Sequence, residues 1–101
     1  MSALHTKGPW AVTERGGEIT IQGPASEWLA VIPLAETAGF GVVCRSELRA
    51  NARLIAAAPD MLEALRRALN FIENTESEMG ETLECGELAR AAIARATGAK
   101  P

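Results

Sequence analysis

The side chains best suited to chemistry in this 101-residue chain are its arginines, eight of its ten basic residues. Arg45, Arg49 and Arg53 recur every fourth position, so on a helix they form one stripe over two turns. Asn51 lies elsewhere on that helix, and Arg66 and Arg67 fall on the next. Guanidinium forks match phosphate oxygens two at a time and shed water readily. The stripe therefore reads either as a phosphate- or nucleotide-binding face or as a solvated face with pairs such as Glu63 to Arg67. Glu73, Glu76, Glu78, Glu81, Glu84 and Glu87 have no basic residue among them. They read as a solvated stretch or as an acidic patch that occupies a basic groove on another protein.

Catalytic groupings are scarce. A nucleophile needs a base and an orienting group within hydrogen-bond reach. The single histidine, His5, lies in an N-terminal tail over 1–7, and the single aspartate, Asp60, already suits a helix start. Gly39-Phe40-Gly41 lacks the further residues of a dinucleotide or phosphate loop. Cys44 and Cys85 are far apart and read as free, partly buried thiols. The expectation is a binding protein rather than an enzyme, with no cofactor and no metal. A net charge of −3 argues against direct nucleic-acid binding. No run approaches the ~18 apolar residues of a membrane span, and Met1–Trp10 lacks a signal-peptide core. A cytoplasmic location is expected.

The elements that position these residues change character along the chain. Residues 8–44 are strand-rich. Glu18–Gln22 alternates with period two, Gly16-Gly17 marks a hairpin turn after the Trp10–Thr13 segment, Trp28–Ile32 is a third strand, and Phe40–Cys44 a fourth. Residues 46–97 read as helical: one helix capped by Ser46 and ended near Pro59, a second from Pro59 carrying Leu62, Leu65, Leu69 and Ile72, a loop over 74–80, and a third over Leu83–Ala96 closed by Gly98. The Leu62–Ile72 stripe is expected at the centre of the core, with Trp10 and Trp28 packed against the helices; one tryptophan could instead stack on a ligand base. The whole is a single α+β domain over 1–101, a small antiparallel sheet packed by two or three C-terminal helices. The Ala-rich third helix predicts a homodimer or larger assembly.

Two segments are more specific. His5-Thr6-Lys7-Gly8-Pro9-Trp10 resembles a His-Thr-x-Gly-Pro-Trp opening, and Ala50-Asn51-Ala52-Arg53-Leu54-Ile55-Ala56-Ala57-Ala58-Pro59-Asp60-Met61-Leu62-Glu63-Ala64-Leu65 resembles a motif of short proteins from tailed phages and prophages. The common pattern has Pro at Lys7 and Leu at Met61. In plan the chain is similar to the phage anti-Thoeris sponges, a small antiparallel sheet followed by helices. That resemblance implies an oligomeric counter-defence protein that sequesters cyclic ADP-ribose-type signals. It also implies Phe40 stacking on adenine, Asn51 bonding a base edge or ribose, and Arg49, Arg53 and Arg66 holding pyrophosphate. The rival reading is an inhibitor of a host defence complex, resembling anti-CRISPR proteins, acting through Glu73–Glu87.

Overall fold

A computed structural model describes residues 5–34 and 44–99. They fall into two compact units, one within 6–59 and one from residue 60 onward. The architecture is α+β, as expected.

The first unit holds a three-stranded antiparallel sheet in the order β1 (Ala11–Arg15), β2 (Glu18–Gln22), β3 (Trp28–Pro33), followed by helix α1 (Arg45–Ala56). Gly16 and Gly17 both have positive φ, 57° and 81°, which a two-residue hairpin turn with the right-handed twist of its strands requires. That turn sets the register Thr13↔Thr20 and Arg15↔Glu18. A bulge at Ile21/Gln22 shifts the pairing so that Gln22 opposes Trp28. Pro33 ends β3, because it brings no N–H to the ladder. Period two turns Ile19 and Ile21 to one face, where both are fully buried. Ile19 joins Leu34 and Ala52 of α1 in one cluster, with Ile32 and Leu48 packed against it. The expected fourth strand, Phe40–Cys44, lies almost wholly outside the described residues.

The opening motif meets the helical motif inside this unit. A Cβ on Gly8 would sit 3.1 Å from Cγ of Pro59, so the backbone at Gly8 approaches the proline ring closely. The indole N–H of Trp10 donates to the Thr6 carbonyl at 3.1 Å.

The second unit holds most of α2 (Ala58–Met79) together with α3 (Glu84–Thr97). The break between α1 and α2 falls at Ala57, since Pro59 has no N–H to offer the Ile55 carbonyl. Three expectations are corrected. Helix α1 begins at Arg45 with Cys44 as its N-cap, one turn being closed by the bond from Leu48 N–H to the Cys44 carbonyl; the Ser46 hydroxyl instead faces Cys44 Sγ at 3.1 Å. Residues 74–79 continue α2 rather than forming a loop, because Glu and Met are good helix formers and Gly80, with φ 73°, supplies the stop. The Leu62–Leu65–Leu69–Ile72 stripe is only half-buried, and no residue of α2 is fully buried. Among the described residues the fully buried large side chains are Ile19, Ile21 and Leu34.

Helices α2 and α3 are joined by a polar clasp. Arg90 reaches Glu76 through two bonds of 3.1 and 3.2 Å and Glu73 at 3.3 Å. Glu76 also accepts the Leu83 N–H at 2.8 Å. Gly86 leaves room for it: a Cβ there would lie 2.5 Å from the Glu76 carboxylate.

Candidate functional site

The middle arginine of the α1 stripe is already engaged. Arg49 binds Glu14 of β1 through both carboxylate oxygens, Nε at 3.0 Å and an Nη at 2.8 Å. The guanidinium holds the Glu14 carboxyl below its ordinary range, with Arg45 adding to the field, and the carboxylate raises Arg49 in return. A half-exposed bidentate pair of this kind fixes α1 to the β1 edge of the sheet and occupies the fork. Asn51 and Arg53 are exposed on α1. Arg66, in the other unit, is exposed beside a broad, shallow groove of about 420 Å³ that includes Leu69, Asn70 and Ile93. There Arg67 is paired with Glu63 at 2.8 Å. Phe40 lies outside the described residues.

The acidic run divides in two. Glu73 and Glu76 belong to the Arg90 clasp, and Arg90 together with the Leu83 N–H lowers the Glu76 carboxyl. Glu78, Glu81, Glu84 and Glu87 are exposed. Both cysteines are free and exposed rather than partly buried. The Ser46 hydroxyl, with backbone N–H groups of α1, lowers the Cys44 thiol. Among the described residues no three His, Cys, Asp or Glu side chains are grouped to hold a metal ion. No described helix is long and apolar enough to cross a membrane.

A more concave site lies on the sheet face that turns away from the Ile19–Ala52 cluster. The alternation that buries Ile19 and Ile21 sends Glu18, Thr20 and Gln22 to this face, and the register sets Arg15 and Thr13 beside them. Trp28, opposite Gln22 on β3, completes the rim and is 68% exposed. These residues and Glu14 line a depression of about 400 Å³, within the ~300–1,000 Å³ span of small-molecule sites. The Thr13 hydroxyl donates to the Thr20 carbonyl at 3.4 Å, and Thr20 itself is buried. One depression thus holds an aromatic face, a guanidinium, an amide, two carboxylates and hydroxyls. Trp28 is therefore exposed rather than buried as expected. The period-two pattern of Glu18–Gln22 already implied a polar face here, but whether Trp28 fell opposite Gln22 on that face depended on the bulge at Ile21/Gln22.

Fold and site together define a small α+β protein built on a sheet with one face sealed by a helix and the other open around a tryptophan. The chain belongs to the family of Salmonella phage P22 protein Y8K6, which matches residues 1–100. It is a phage-family protein. No curated protein and no solved structure matches it significantly.

Proposed function

We propose that this phage-family protein captures a small cyclic nucleotide of the cyclic ADP-ribose type without cleaving it, and so lowers the free concentration of a host defence signal. The observation that carries the reading is the exposed Trp28 at the rim of the 400 Å³ depression, with Arg15 and Gln22 on the same face. An indole offers a stacking surface for adenine, the Arg15 guanidinium a fork for pyrophosphate, and Gln22, Glu18 and Thr13 partners for ribose hydroxyls and base edges. In this reading the site is the open sheet face; of the α1 and α2 arginines, Arg49 is held by Glu14. Capture by mass action needs affinity and abundance, with no chemical step.

Calorimetry with cyclic ADP-ribose isomers tests this. Base–aromatic stacking contributes about 1–3 kcal/mol, so Trp28→Ala should weaken binding roughly five- to a hundredfold. Arg15→Ala should weaken it comparably, while Arg66→Ala should leave it unchanged. No heat from the wild type with any cyclic ADP-ribose isomer or cyclic oligonucleotide would refute the reading.

A second reading rests on the exposed Glu78, Glu81, Glu84 and Glu87 beside exposed Met79 and Leu88: an inhibitor that binds a basic surface of a host defence complex. Charge reversal of these four glutamates would then abolish inhibition while nucleotide binding stayed absent.

A further inference from the structure

Helix α2 carries two apolar stripes, not one. Leu62, Leu65, Leu69 and Ile72 are half-buried. One residue earlier at each step, Met61, Ala64, Ala68 and Phe71 form a second stripe with the 3-4-3 spacing of a helix–helix seam. All four are exposed, Met61 at 45% and Phe71 at 73%. Phe71 is the most exposed large apolar side chain among the described residues. Isolated apolar residues on a surface are ordinary, but four in seam register beside a half-buried stripe make one continuous face.

We infer that this face docks a second copy of the chain, with the two α2 helices antiparallel about a two-fold axis near the level of Arg66. The size order carries the argument. Along the stripe it runs large, small, small, large, a palindrome. Antiparallel pairing sets Met61 against the partner's Phe71 and Ala64 against the partner's Ala68. The alanines let the helix axes approach, and the thioether meets the aromatic ring, a favourable contact. Charge selects the same direction. From Phe71 to Met79 the helix holds Glu73, Glu76 and Glu78 and no basic residue, and Arg90 of α3 offsets only one of these three charges. A parallel pair would bring these two acidic ends together; the antiparallel pair puts them at opposite ends and opposes the helix dipoles favourably. Arg67 stands at the rim near the axis, and Glu63 at 2.8 Å supplies its countercharge. The stripe spans about three turns, roughly 15 Å, which is too little for an obligate interface. The dimer should form at micromolar concentration or above.

Sedimentation equilibrium of the full chain from micromolar to submillimolar concentration tests this. The wild type should show a concentration-dependent dimer. Phe71→Glu should weaken it on the order of a hundredfold or more, because the symmetry removes both aromatic anchors of the seam and sets two charges there at once. Asn70→Glu, one residue away on the polar face, should leave it intact. Circular dichroism should show both variants folded, since neither residue is buried. For direction, C44S/C85S chains carrying Ala64→Cys should form disulfides faster with chains carrying Ala68→Cys than with themselves. A wild type that stays monomeric, a dimer indifferent to Phe71→Glu, or faster crosslinking of like with like would overturn the inference.

Discussion

Replacing Ile19 with Ala tests where the stability of the sheet unit resides. Ile19 is 0% exposed on the central strand, in contact with Leu34 and Ala52. The substitution removes three carbon atoms from a closed site, about 2.5 kcal/mol at ~0.8 kcal/mol each, and the cavity raises the total to about 2–5 kcal/mol. The cavity cannot collapse easily, because Ile19 is held by ladders on both sides. Leu65→Ala removes the same number of carbons from a half-buried site and should cost less, about 1–2 kcal/mol. The two tryptophans, Trp10 and Trp28, both lie in the sheet unit, so their fluorescence reports that unit alone. Ellipticity at the helix band is dominated by α2 and α3, with 22 and 14 residues. Urea unfolding followed by both signals should show Ile19→Ala shifting the fluorescence midpoint strongly. A loss below about 1 kcal/mol, or a larger loss from Leu65→Ala, would refute the placement of the core between sheet and α1.

Two other perturbations complement the ligand and self-association tests. The Glu14 and Glu76 carboxyls are held below 4.5 by Arg49 and Arg90. Their contribution is therefore present above pH 4.5 and lost as pH falls through the lowered folded values. Melting midpoints should drop below pH 4.5 in the wild type, and Glu14→Gln with Glu76→Gln should flatten that drop; an unchanged acid profile in the double variant would show that the pairs contribute nothing. Gly86→Ala inserts a methyl 2.5 Å from the Glu76 carboxylate, which Leu83 and Arg90 hold in place, and should lower the helical unit's stability by about 1–3 kcal/mol; a melting midpoint equal to wild type would show that the clasp yields freely.

Local signals were well written in the sequence. The Gly16-Gly17 turn, the alternation of Glu18–Gln22, the break near Pro59 and the stop at Gly98 each follow from one residue type and its immediate neighbours. Long-range pairings were not. Arg49 finds Glu14 thirty-five positions away, and no spacing rule on α1 reveals that its fork is taken. Glu73 and Glu76 look like part of an acidic loop until Arg90, on another helix, pairs with both. The open face was half legible: polar alternation on β2 was visible, but the Trp28 rim depends on a bulge that composition does not encode. Phe40 falls outside the described residues, and Asn51, Arg53 and Arg66 are exposed, the first two in one unit and Arg66 in the other.

The contact between Gly8 and Pro59 has a topological consequence. It brings Gly8, two residues into the sheet unit, beside Pro59, its last residue, so the segment 6–59 leaves its fold close to where it entered. A segment with adjoining ends can be cut out, rejoined head to tail or inserted into a surface loop of another protein without stretching its strands. Viewed this way, the two sequence motifs that bracket the sheet act as the two halves of a fastener, and the strands and α1 between them form a loop closed at its base.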